Sequence, residues 1–172
     1  MKFYIACGLT ESHDQEIVRA IVRYIEERGH IVLDEHVAHL DNRARFSENT
    51  GIRLAVMDLA EKETIIRDTD LAWVREADGF IGLYFSASEG ASIEFEHRRL
   101  LLELQRKGLL REPLVHSRLF LCIFLRERKR SALLHGISLE ERELIAQEYV
   151  DKKEEALEVV KRYVSALSER TP

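Results

Sequence analysis

The chain has 172 residues, 45% hydrophobic and 33% charged, with a formal net charge of −5, a balance that suits one globular domain with a core of its own. Both signs of charge are mixed along it, so no basic stripe is available to neutralise a duplex, and the apolar run 119–125 is too short to span a bilayer. The expectation is a cytoplasmic protein with neither a nucleic-acid nor a membrane partner, because the start Met1-Lys2-Phe3-Tyr4-Ile5 reads as a strand and not as a signal peptide.

Lys2 to Cys7 is a short apolar run that stops at Gly8, as a buried strand entering a tight loop does. Ile17, Ala20, Ile21, Tyr24 and Ile25 then recur at helical spacing, with Gly29 just past the end as a cap. His30 to Leu33 reads as a second strand, which completes a βαβ opening and predicts a parallel sheet with right-handed crossovers. Glu35 to Thr50 is polar and irregular and is expected to be a long functional loop.

Two helical stretches are expected next, over roughly Gly51 to Leu59 and Glu61 to Ala77. Asp78 to Phe85 reads as a third strand running into the small-residue loop Ser86-Ala87-Ser88-Glu89-Gly90-Ala91-Ser92, followed by a helix from about Ala91 to Lys107. A linker holding Pro113, a strand over 119–125, a short helix near Ser131 to His135, an edge strand over 145–150 and a closing amphipathic helix complete the chain. The fold class expected is α/β: a three-layer, Rossmann-like (flavodoxin-like) open parallel sheet of about five strands, as one domain. Ligands of such sheets sit beyond the carboxyl ends of the strands, which directs attention to Gly8 to His13, Asp34 to Val37 and Ser86 to Glu94.

Asp70 shares a helical face with Ile66, Trp73, Val74 and Ala77, where a carboxylate costs several kcal/mol unless it is paired or protonated. It has either a structural partner or a chemical task. Glu94 falls in the first turn of the helix after the serine-rich loop, where the helix dipole favours its ionised form, as a nucleophile for an anomeric carbon requires. A glutamate chosen only for that dipole fits equally well. In the loop itself, Gly90 allows close backbone approach, and Ser88, Ser92 and free N–H groups offer donors to an anion or a sugar hydroxyl, although serine-rich turns are often only turns.

Cys7 and Cys122 lie in apolar runs without metal-ligand spacing, and the histidines form no helical pair with a carboxylate, so no metal site is expected. The basic cluster Arg126 to Arg130 reads as a solvated turn.

Together these residues resemble the nucleoside 2-deoxyribosyltransferase superfamily, most closely its 2′-deoxynucleoside 5′-monophosphate N-glycosidase branch. Asp70-Leu71-Ala72-Trp73-Val74-Arg75-Glu76-Ala77-Asp78 is similar to the branch's acidic helix leading into the third strand, and Asp70 and Glu94 are separated as that family's acid and nucleophile are. Ser88, Gly90 and Glu94 fit its Ser-x-Gly-x-x-x-Glu pattern. Glu35-His36-Val37 matches a tripeptide of the branch, and Ser131-Ala132-Leu133-Leu134-His135-Gly136 resembles a late segment whose serine reaches a neighbouring subunit's phosphate.

The resemblance implies a retaining mechanism in which Glu94 attacks C1′ and Asp70 assists departure of the base by protonation or by fixing the nucleophile. It implies no cofactor, because the leaving group needs only a proton and the sugar only a carboxylate. Substrate would be held by Gly8, Leu9, Thr10, His36, Ser88, Gly90 and Ser131. It also implies a small-molecule nucleoside or nucleotide substrate and a homodimer or dimer-based oligomer with a shared site. Hydrolysis of a nucleoside 5′-monophosphate is the first reading, base exchange by a deoxyribosyltransferase the second, and a non-catalytic nucleotide-binding module the third.

Two positions depart from the family. Its nucleophile-orienting tyrosine, three residues before the first-strand glycine, is here Ile5, and Tyr4 is expected on the opposite face of the strand. The phosphate loop is replaced by Leu9-Thr10-Glu11-Ser12-His13-Asp14, whose acids repel a phosphate. For oligomerisation, Phe95 and Leu102 are expected to form a second apolar helix face, away from Ile93, Leu100 and Leu104.

Overall fold

The computed structural model of the chain describes residues 1–8, 12–39, 41–86, 88–110, 120–127, 137–138 and 141–169, the side chains of Ser12 and His13 excepted. The apolar runs form strands β1 (Lys2–Cys7), β2 (Ile31–Val32), β3 (Gly79–Tyr84), β4 (Phe120–Leu125) and β5 (Ile145–Val150). Every neighbouring pair is parallel, and the order across the sheet is β2-β1-β3-β4-β5. The helices are α1 (Ser12–Glu27), α2 (Asn42–Thr50), α3 (Leu59–Glu76), α4 (Glu89–Arg106) and α5 (Glu155–Glu169). This is the expected three-layer open sheet.

Strand alternation divides the core. On β1, Phe3 and Ile5 join the cluster with α1 and α5, while Tyr4 and Ala6 join the one with α3 and α4. The first layer is mostly aliphatic: Ile17, Val18, Ile21 and Ile25 of α1 pack with Val160, Val164 and Leu167 of α5, with Phe3, Phe85 and Tyr163 the aromatic members. Each such side chain, fully buried, contributes about 1.5–3 kcal/mol of transfer free energy. α1 ends where Gly29 adopts φ 74°, a left-handed conformation suited to glycine.

The second layer is aromatic, with Tyr84 stacked on Phe124 and Phe95 edge-on to Phe120. Phe95 and Leu102 therefore belong to the protomer's own core, and the expected second apolar face is instead Ile93 and Leu100, 58% and 52% exposed. The helical period was read correctly and the inward side wrongly, because both stripes of α4 are apolar.

Two further expectations change. Glu35 to Thr50 is not an irregular loop: a single 3₁₀ turn at Glu35–Ala38 leads into α2, which starts on the Asp41 side chain (Ala44 N–H to Oδ1, 3.0 Å). Its polarity comes from lying on the surface, where Glu35 accepts hydrogen bonds from Arg45 at 2.9 Å and Asn49 at 2.7 Å and meets His39 at 2.8 Å. No helix runs from Gly51 to Leu59, where only Leu54–Val56 forms a 3₁₀ turn. α3 begins at a capping box, in which Asp58 accepts the Glu61 N–H at 2.9 Å and Glu61 accepts the Asp58 N–H at 3.1 Å, and this fixes its start. No described helix is long and apolar enough to cross a membrane.

Candidate active site

The strand order reverses between β1 and β3, so the chain leaves the two strands in opposite directions and opens a crevice at their carboxyl ends. Gly8 ends β1 there. A Cβ on it would lie 2.8 Å from both Ser86 Oγ and Ser88 Cβ, so only glycine allows the loops to meet, and the Ser86 hydroxyl donates to the Gly8 carbonyl at 3.0 Å. Ser88 caps α4, its Oγ accepting the Ala91 N–H at 3.2 Å, while Tyr84 Oη donates to the Ala91 carbonyl at 3.2 Å and ties the first turn of α4 to the sheet.

α4 starts at Glu89, two residues before the expected position, which moves Glu94 from the first helical turn to the second. The helix dipole acts mainly on the first turn, and its help to an ionised Glu94 is correspondingly small. Burial dominates instead and lifts the Glu94 carboxyl to about 7, against a hydrogen bond from the Tyr4 hydroxyl that favours the ionised form. Tyr4 keeps its proton because burial, reinforced by the nearby acids, raises its own pKa well above the usual phenol value.

Asp70 arrives from α3. The fully buried Arg98 of α4 donates from Nη1 to the Val74 carbonyl of α3 at 2.9 Å, locking the two helices together. One turn back along each helix stand Asp70 and Glu94, which thus face one another across the seam. Burial first, and the Glu94 charge second, raise Asp70 to about 7. Its Oδ1 is buried with no hydrogen-bond partner among the described residues. Both carboxyls line one cavity of about 290 Å³ between α3 and α4.

Tyr4 corrects an expectation. The β1–β3 register runs unbroken from Phe3↔Gly79 to Cys7↔Leu83, so there is no bulge; Tyr4 faces the α3–α4 layer and Ile5 the α1–α5 layer. Tyr4 and Ile5 do point to opposite faces, but it is Tyr4 that shares a side with Glu94.

A third carboxyl, Asp34, opens one of the strand-end segments to which the sequence directs attention, without a role of its own assigned there. It is fully buried just past β2, and its Oδ1 and Oδ2 accept the Ile5 N–H at 3.0 and 3.1 Å, so a side chain continues the β1 ladder where the two-residue β2 stops. Burial, and then the charges of Glu94 and Asp70, hold it well above the usual carboxylate range. Its signal was positional: a lone acid at the carboxyl end of an apolar run.

The other expected site residues divide. Gly90 lines the cavity, and a Cβ there would lie 3.9 Å from Glu94 Oε1. Ser88 and Gly8 stand beside the crevice. His36 is buried against Phe46 and Trp73, with ring centroids 5.3 and 5.7 Å away, and is not among the cavity's lining residues. Burial lowers it to about 4, which keeps the imidazole neutral. Leu9, Thr10 and Ser131 lie outside the described residues, as do Glu11 and the short helix expected near Ser131. Of the acids expected to repel a phosphate, Asp14 is withdrawn into a buried ion pair with Lys153 at 2.6 Å. Arg43, Glu63 and Arg67 also line the cavity and were missed, because exposed charges on amphipathic helices carry no sequence signal of a site.

No protein-family model and no curated protein matches the chain. Among solved structures it is similar to that of the Clostridium botulinum CMP N-glycosidase BcmB, with a TM-score of 0.57 and 14% sequence identity, over 95% of this chain and 99% of that one. At that identity the likeness is one of fold, and it agrees with the three-layer sheet described above.

Proposed function

We propose that the chain hydrolyses the N-glycosidic bond of a (deoxy)nucleoside 5′-monophosphate through a glutamyl-enzyme intermediate. The observation that carries this reading is the pair Asp70 and Glu94 on one cavity, with the Tyr4 hydroxyl on Glu94 and both carboxyls pushed to about 7. Two acids that titrate near neutrality and repel one another lose their protons in separate steps, so one carboxylate and one carboxylic acid coexist there. The fold shared with a CMP N-glycosidase supports the same reading.

Ionised Glu94, oriented by Tyr4, attacks C1′ as the C1′–N bond breaks, and the departing base takes the Asp70 proton. Water then attacks C1′, Asp70 recovers a proton from it, and Glu94 is released. Base exchange differs only in the second acceptor, and free base that traps the sugar faster than water does would favour the transferase. The non-catalytic reading rested on the missing tyrosine, and Tyr4 beside Glu94 removes that support.

A second copy of the chain, covering Leu100 and the cavity-edge residue Ile93, belongs to the proposal. Sedimentation of wild type as a dimer and of Leu100→Glu as a monomer is expected; a monomeric wild type would remove the second copy. The function itself is tested by incubation with a panel of nucleosides and their monophosphates. Base should be released from at least one monophosphate, and Glu94→Gln should abolish release while still binding substrate. Undiminished release by that variant would defeat the assignment.

A further inference from the structure

The cavity extends past the two carboxyls. On α3 its wall is formed by Glu63, Ile66, Arg67 and Leu71, and Arg43 of α2 reaches it from outside. With a rise of 1.5 Å per residue, Glu63 lies about 10 Å from Asp70 along the helix, with Ile66 one turn away from the acid. Ile66, Leu71 and Ile93 make apolar flanks fit for a flat ring, and the outer end carries opposite charges.

Those charges differ in how they are held. Arg67 is engaged by Asp68 at 2.7 Å. Arg43 and Glu63 make no hydrogen bond or ion pair among the described residues. α2, which carries Arg43, is anchored through Arg45 and Asn49 to Glu35, so Arg43 projects from a fixed helix. A guanidinium donates to ring carbonyl and ring nitrogen acceptors, and a carboxylate accepts from an exocyclic amino group, which is how arginine reads guanine and glutamate reads cytosine on base edges.

Resting on the hydrolytic reading above, we propose that Arg43 and Glu63 select the leaving base, Arg43 donating to its carbonyl and Glu63 accepting from its amino group. The site then prefers cytosine and guanine, which carry both groups. Adenine lacks the carbonyl, and uracil and hypoxanthine lack the amino group.

The test is calorimetric binding of CMP, GMP, AMP, UMP and IMP to the Glu94→Gln protein, which does not turn them over. CMP and GMP should bind at least about tenfold more tightly than the other three, the discrimination one charge-assisted hydrogen bond supplies. Added Glu63→Ala should erase the advantage over UMP and IMP, and Arg43→Ala the advantage over AMP, each to within about twofold. Arg67→Ala should leave the order intact. Equal binding of all five, binding of none, or a preference that survives both substitutions would overturn the proposal. Base release by the wild type is scored separately: release without dependence on these two residues sinks this inference alone, and selective binding without release sinks the hydrolytic reading alone.

Discussion

The two faces of the sheet are built from different chemistry. Toward α1 and α5 the core is mostly aliphatic, with Phe3, Phe85 and Tyr163 among it, and its buried charge, Asp14, is matched at 2.6 Å by Lys153. Toward α3 and α4 the core holds tyrosines, a fully buried arginine and the unpartnered Asp70 oxygen, with Asp34 at its margin. Burial of acids is unfavourable, and the α3–α4 layer keeps them beside a cavity whereas the other layer neutralises its acid. The contrast separates a face whose variants should alter stability from one whose variants should alter chemistry.

The largest expected effect that sharpens this contrast is Asp70→Asn, which should lower kcat/KM by about 10²–10⁴-fold, the usual contribution of a positioned acid. Wild-type activity should rise with pH as Glu94 ionises and fall as Asp70 loses its proton, giving a bell centred near neutrality. The variant should lose the alkaline limb. Asp70→Asn also has an opposite effect on stability. The folded carboxyl is raised to about 7 from 3.8, so its contribution is fully present below 3.8 and is lost as pH climbs through 7. The melting temperature of the variant relative to wild type should therefore increase between pH 4 and pH 8. An advantage that is flat with pH would place the Asp70 carboxyl in water.

On the other face, Lys153→Ala strands a buried carboxylate and should cost about 3–5 kcal/mol by denaturant titration, with the pH profile of activity unmoved. A shifted profile would break the division between the faces. Tyr4→Phe is intermediate. A hydrogen bond to a charged group contributes about 1.5–3 kcal/mol, so kcat should fall by roughly ten- to a hundredfold. Because that bond lowers the Glu94 pKa, its loss should move the acidic limb to higher pH. The smallest effect belongs to the α3 cap: Asp58→Ala should cost about 1 kcal/mol.

The same contrast explains how far the sequence could be read. Helical and strand periodicities reveal buried apolar faces, so the five strands, α1, α5 and the parallel order of layers were legible. α2 was not, because its stability rests on the polar Glu35 network and an Asp41 cap, with Phe46 its one buried residue. Asp70 was visible as a polar intrusion on an apolar face, and Glu94 by its place after a serine-rich turn. Tyr4 was set aside because the family tyrosine was placed at Ile5, on the other face of the strand, and Asp34 fell in a highlighted segment without a role because a side chain completing a β-ladder has no periodic signature. The inward side of α4 was ambiguous from sequence because Ile93 and Leu100 are as apolar as Phe95 and Leu102.

The most direct measurement is mass spectrometry of the acid-quenched reaction, digested to peptides, with a monophosphate that releases its base. A pentosyl phosphate attached to the peptide containing Glu94, and absent in Glu94→Gln, is the predicted result. Base release with no adduct on that peptide, undiminished by Glu94→Gln, would contradict a glutamyl intermediate and with it the role assigned to the paired carboxyls.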